Sequence, residues 1–242
     1  MSTVAVIGAA GGIGRVLVAE LIAAGETVLA LDLPASLERH PLPCEAIPID
    51  LRDEASIAEA AARVEAMGAP LDGLVNLAGY TLGVMPLTET PVETFDDVLA
   101  GNLRGTLLST RALMPLMADG GSVVTTASGL AQFVRPGHGA YAMAKAGLIA
   151  MTKTLALEEA PRLRVNAVAP GPVRTAFLTG GTGRSDERGE SLVSPEQMAA
   201  LTPLKRLAEP EDVTGPIRFL LGPDSRFLTG QVLWINGGAY MP

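Results

Sequence analysis

The chain has 242 residues, enough to bury one sizeable core. Hydrophobic residues make up 48% but aromatics only 4%, so the core is built from Ala, Val, Leu and Ile, which suits helices laid on parallel strands buried on both faces. The formal net charge is −8 with no basic stripe, which argues against a nucleic-acid partner, and the 27 glycines follow no fixed period, which excludes a collagen-like chain.

In chain order, residues 3–7 read as a strand and 13–24 as a helix stopped by Gly25. Residues 27–31 and 44–49 are expected strands, 53–67 a helix ended by Gly68, and 73–77 a fourth strand. A long helix is expected over 95–117, closed by the Asp119-Gly120-Gly121 turn. A fifth strand over 122–127 and a second long helix over 140–159 follow, with Pro161 beyond. Residues 164–168 and 231–235 complete seven strands. Strands alternating with helices of this length imply right-handed crossovers and a seven-stranded parallel sheet in a doubly wound α/β domain spanning 1–242. The irregular stretch 170–194 carries Gly180-Gly181-Thr182-Gly183 and a charged run over 184–190. It follows the sixth strand and is expected to act as a substrate lid, about 172–206 in all. Within it, Ser194-Pro195 reads as a helix cap followed by proline at the first helical position.

The opening Val4-Ala5-Val6-Ile7 lacks the basic leader of a signal peptide, and no later run reaches membrane-spanning length. The single Cys44 cannot form an internal disulfide and fits a small packed residue. A cytoplasmic protein with no membrane partner is expected.

Between the first strand and first helix lies Gly8-Ala9-Ala10-Gly11-Gly12-Ile13-Gly14. Glycines there permit a tight turn and let backbone N–H groups approach a pyrophosphate at the helix N-terminus. Asp32 ends the second strand, where a carboxylate accepts the ribose hydroxyls of an adenosine and repels a 2′-phosphate. No Arg or Lys stands inside the glycine turn or directly after Asp32, so NAD is the expected cofactor. Asp50, ending the third strand, is placed for the adenine edge, and Asn76-Leu77-Ala78-Gly79 ends the fourth with small residues that let backbone pack on the adenosine.

Of three tyrosines and three lysines, only Tyr141 and Lys145 fall four apart on an expected helix and share a face. A phenol has a pKa of about 10, and bringing it to neutrality takes roughly 4 kcal/mol of differential interaction with the phenolate. A nearby ammonium favours the phenolate. Asn102, Ser128, Tyr141 and Lys145 occur in that order, Ser128 just after the fifth strand. Asn166 to Thr175 continues with Ala-Pro-Gly-Pro-Val-Arg-Thr, and the chain closes through Thr229-Gly230-Gln231 and Asn236-Gly237-Gly238.

Together these segments resemble the short-chain dehydrogenase/reductase family over essentially the whole chain. The resemblance implies a compact Rossmann-type domain and reversible hydride transfer between a secondary alcohol and NAD, with no metal. It implies Tyr141 as acid–base, Lys145 as the group that lowers its pKa and holds the nicotinamide ribose, and Ser128 on the reacting oxygen. Asn102 would shape its helix and hold a water behind Lys145. The cofactor set it implies comprises Gly8, Gly12, Ile13, Gly14, Asp32, Asp50, Leu51, Asn76, Ala78, Gly79, Tyr141, Lys145, Pro170, Gly171, Val173 and Thr175. Ile7 stands where the family usually has threonine. A homotetramer, or a homodimer, is the family's usual assembly.

The substrate wall is expected from residues 80–85, 129–138 and the lid from Phe177 onward, mostly apolar, with Ser128, His138 and Phe177 as substrate contacts and a small-molecule alcohol or ketone as partner. Arg135 and Arg174 are open between an anion contact and the surface, and Trp234 is expected in the core. Two alternatives stand beside NAD-linked alcohol oxidation: an NADPH-dependent 3-oxoacyl-thioester reductase, which Asp32 opposes, and a non-catalytic NAD-binding sensor or scaffold, which the intact tetrad opposes.

Overall fold

The structure is a computed structural model and describes residues 2–241 other than 182, 185–186 and 188–193. Among the described residues seven strands form one wholly parallel sheet. They are β1 (Thr3–Ile7), β2 (Thr27–Asp32), β3 (Glu45–Pro48), β4 (Leu71–Asn76), β5 (Met117–Thr126), β6 (Arg164–Pro170) and β7 (Val232–Ile235). The spatial order β3-β2-β1-β4-β5-β6-β7 reverses direction between β1 and β4. That switch opens a crevice at the carboxyl ends of these two strands, where a dinucleotide fits.

The period-two alternation of each strand feeds two cores. Ala5 and Ile7 of β1 face one layer, where α3 (Glu54–Ala66) contributes Ile57, Ala60 and Val64. Val4 and Val6 face the other, packed by Leu17, Val18 and Leu21 of α1 (Gly12–Ala23) and by Val213, Ile217 and Leu220 of α8 (Pro210–Leu221). Gly25 and Gly68 take left-handed φ values of 87° and 72° just past α1 and α3, as helix stops should. Ser194 caps α7 (Pro195–Leu201) by accepting the Gln197 N–H. Two helices were not expected: α2 (Pro34–Arg39), and α8, whose start is fixed by Pro210 and reciprocal capping between Glu209 and Asp212. Among the described residues no helix is long and apolar enough to cross a membrane.

The long helix expected over 95–117 is instead a composite. It runs as α4 (Val92–Leu99), a π-helical turn (Ala100–Arg104), α5 (Gly105–Leu113) and a 3₁₀ turn (Met114–Leu116). Pro91 sets its earlier start, and Pro115, which has no N–H to donate, accompanies its end. β5 then begins at Met117 rather than at 122. The π turn accommodates Asn102, whose fully buried side chain bonds to the backbone of Tyr80 and Val98. The charged run 184–190 lies mostly outside the described residues, as does part of the expected lid; Arg184 and Glu187 are described.

Candidate active site

The glycine turn is shaped by what surrounds it. Gly8 has φ 82°, and a Cβ there would lie 2.7 Å from the Ala78 nitrogen at the end of β4. A Cβ on Gly12 would lie 2.6 Å from Thr175 Cγ2, and one on Gly14 would collide with the Gly8 carbonyl. Three chain segments therefore close on the start of α1, which has no side-chain cap and no acidic residue in its first turn. Unclaimed N–H groups at a helix N-terminus, walled by glycine, suit a pyrophosphate.

Asp32 stands beside this turn, accepting the Ala10 N–H at 2.8 Å and the Leu33 N–H at 2.7 Å. Burial raises its pKa, and these N–H bonds oppose the rise. Asp50 accepts from Arg52 Nε at 3.1 Å and Nη2 at 2.8 Å, which holds it below the usual carboxylate range. Arg52 extends to Asp97 at 3.4 Å, and Asp97 also pairs with Arg184 at 3.2 Å. The Arg184 guanidinium lies 3.5 Å from the centre of the Tyr80 ring, whose hydroxyl donates to the Asp97 carboxylate at 2.9 Å. Arg52 and Arg184 thus border the space beside Leu33 and Ala35. Sequence reasoning missed both, because they are distant in the chain from Asp32.

Every expected cofactor position except Asn76 lines one continuous cleft. Asn76 is buried behind it, where Oδ1 accepts the Ala78 N–H at 3.0 Å and sets the backbone that does face the cleft.

At the other end, Ser128 follows β5 and caps a short 3₁₀ turn, its Oγ accepting the Leu130 N–H at 3.2 Å. Tyr141 and Lys145 lie on α6 (Gly139–Glu158), one turn apart, 9% and 2% exposed. Lys145 Nζ is 5.5 Å from the centre of the Tyr141 ring and donates to the Thr126 carbonyl at 2.8 Å. Burial drives the phenol well above its ordinary value, with the Ser128 hydroxyl partly opposing, and drives the ammonium down to about 7. Desolvation thus favours the neutral form of both groups.

Asn102 does not line the cleft. Its Nδ2 donates to the Tyr80 and Val98 carbonyls, each at 2.9 Å, and its Oδ1 accepts the Tyr80 N–H at 3.2 Å. A Cβ on Gly79 would come within 2.9 Å of that Oδ1 and 3.0 Å of Lys145 Nζ. Asn102 therefore backs the lysine through the end of β4.

On the substrate side, the Phe177 ring sits 5.8 Å from the Tyr141 ring, and Arg135 and His138 line the cleft. Burial, aided by Arg135, lowers the His138 pKa. Tyr80 and Thr81 reach the cleft, whereas residues 82–85 do not. Arg174 pairs with Glu209 at 2.9 Å away from the lining. Trp234 is only half-buried, in an edge cluster with Phe133 and Tyr240 rather than in the core. Tyr240 itself lines the cleft, which the sequence reading did not anticipate.

Residues 8–240 match the family model described as enoyl-(acyl carrier protein) reductase. A 3-oxoacyl-(acyl-carrier-protein) reductase of Thermotoga maritima is 35% identical over 96% of this chain and 95% of its own. A 2-(R)-hydroxypropyl-CoM dehydrogenase of Xanthobacter autotrophicus is 34% identical over 98% of both chains. The solved structure of a 3-oxoacyl-(acyl-carrier protein) reductase with bound NAD, from Brucella melitensis, superposes with a TM-score of 0.82 at 31% identity, covering 100% of this chain and 92% of that one. Its sheet, its crevice and these matches along nearly its whole length make the chain a member of the short-chain dehydrogenase/reductase family, oxidoreductases that bind a nicotinamide cofactor.

Proposed function

We propose that this chain catalyses reversible hydride transfer between a secondary alcohol and NAD, working physiologically toward alcohol oxidation. One observation carries the reading: Ser128, Tyr141 and Lys145 converge at one end of a cleft whose other end presents Asp32. The glycine turn and the start of α1 would hold the pyrophosphate, Asp32 the adenosine ribose, and Pro170, Gly171, Val173 and Thr175 the nicotinamide end. The bound nicotinamide supplies the hydride acceptor or donor.

The remaining chemistry belongs to the chain. Tyr141 Oη takes the proton of the substrate hydroxyl, and Ser128 Oγ orients that oxygen by hydrogen bonding. Because burial opposes the phenolate, positive charge near Tyr141 is needed to offset it, and Lys145 is the cation of α6 placed to contribute. Apolar Phe177 and Leu130 shield the reacting atoms from water. Replacing Tyr141 by Phe should lower kcat by about 10²–10⁴-fold while NADH binding, followed by fluorescence, survives. Retained turnover would remove Tyr141 from the mechanism.

An NADPH-dependent 3-oxoacyl-thioester reductase is the second reading, favoured by the name of the Thermotoga relative and by Arg52 and Arg184 beside Leu33. Both guanidinium groups are already engaged by carboxylates, and Asp32 would face the 2′-phosphate. Initial rates with NAD+ and NADP+ decide between them, a clear preference for NADP+ overturning the first. We place the enzyme in the cytoplasm as one domain over 1–242. A homotetramer or homodimer is supported by the half-buried β7 and by Phe227, 98% exposed, and light scattering tests it.

A further inference from the structure

The two ends of the cleft differ in charge. Its lining carboxylates, Asp32 and Asp50, both stand at the β2–β3 end. Around Tyr141, the titratable lining is Arg135, His138, Lys145 and Tyr240, with no carboxylate among the described residues.

Tyr240 is fixed in this wall by its surroundings. Its ring stacks on Phe133 at 4.5 Å and 27° and meets Trp234 edge-on at 6.3 Å, while its main-chain oxygen accepts from Asn236 Nδ2 at 2.8 Å. The phenol tip fills the space over Gly129, where a Cβ would collide with the hydroxyl. The hydroxyl therefore sits beside the residue that follows Ser128. It makes no hydrogen bond among the described residues, although its ring is packed and the residue lines the cleft. Burial pushes it up to about 12, so it stays a donor, and Arg135 partly opposes that rise. Arg135 lies two residues after Phe133 on the same wall. It pairs with no carboxylate among the described residues, whereas Arg52 and Arg184 are held by Asp50 and Asp97.

We propose that the Tyr240 hydroxyl and the Arg135 guanidinium form an anion subsite, so that the substrate is a secondary alcohol bearing a carboxylate, a hydroxy acid rather than a neutral alcohol. The planar guanidinium fork matches a carboxylate, and the phenol adds a further donor to it. This inference rests on the hydride-transfer reading above and deepens it.

The test pairs free 3-hydroxy acids, both enantiomers, with their methyl esters at saturating NAD+. The acids should exceed the esters in kcat/KM by about tenfold, the scale of one charge-assisted hydrogen bond. Arg135→Ala and Tyr240→Phe should each lower the acid-to-ester ratio several-fold, with Arg135→Lys restoring part of it. Trp234, the single tryptophan, gives a second readout. It touches Phe133 and Tyr240, so its fluorescence should titrate with the acid at a Kd that Arg135→Ala weakens. Esters turned over as well as acids, or an unchanged ratio in both variants, would overturn the subsite and leave hydride transfer standing. NADH from no secondary alcohol would overturn hydride transfer, and the Trp234 titration would then still decide the subsite.

Discussion

Replacing Lys145 by methionine should inactivate the enzyme and yet make its cofactor-free form more stable. Lys145 is 2% exposed, and burial lowers its ammonium from 10.5 to about 7. At about 1.4 kcal/mol per pH unit, that desolvation disfavours the fold by roughly 4 kcal/mol at pH 7. Methionine retains most of the apolar stem but loses the bond from Nζ to the Thr126 carbonyl, a cost of about 1–2 kcal/mol. The balance is about 2 kcal/mol in favour of the variant, or roughly 4–8 °C in Tm for a chain of this size. The pH dependence has a definite sign. A lysine with a depressed folded pKa carries its full penalty below that value and loses it as pH rises toward the unfolded value. The gain should therefore shrink from pH 7 toward pH 9.5. Tyr141, pushed up by burial in both proteins, enters only above about pH 10. Thermal unfolding by circular dichroism without cofactor, at half-unit pH steps, measures this. A variant less stable than the parent at pH 7, or a gain that grows with pH, would refute the argument from desolvation.

Two further outcomes follow from neighbouring geometry. Asp32→Ala should raise KM for NAD+ by about tenfold, as expected for loss of a charge-assisted hydrogen bond, and relax the preference against NADP+, since the carboxylate opposing a 2′-phosphate is gone; initial rates with both cofactors check it. Asn102→Ala leaves the buried Tyr80 and Val98 carbonyls and the Tyr80 N–H without their side-chain partner. It should lower stability by about 3 kcal/mol, visible as a drop in Tm with a fall in kcat, whereas an unchanged Tm would mean the π turn does not depend on that amide.

The sheet was legible because its signal is local. Alternating Val, Ala, Ile and Leu in short runs sets the strands, and Gly25 and Gly68 stop helices wherever the chain is placed. The break inside the expected 95–117 helix was not legible, because the amide buried at it bonds to Tyr80, twenty-two residues away. The start of α8 was missed although its signal is local, since Glu209-Pro210-Glu211-Asp212 holds proline at the first helical position and the capping residues.

By itself the sequence determined the strand–helix alternation, the glycine turn, Asp32 at a strand end, and Tyr141 and Lys145 on one helical face, since each depends on residues close together in the chain. Tertiary structure decided how those groups are charged and what stands around them. Full burial, which no spacing reveals, presses both Tyr141 and Lys145 toward neutrality. Chain reversals also bring Arg52 and Arg184 to Asp97, and Tyr240 from the end of the chain to Gly129. Desolvation and long-range juxtaposition are properties of the packed chain, so they set the electrostatics of a cleft whose components were already written locally.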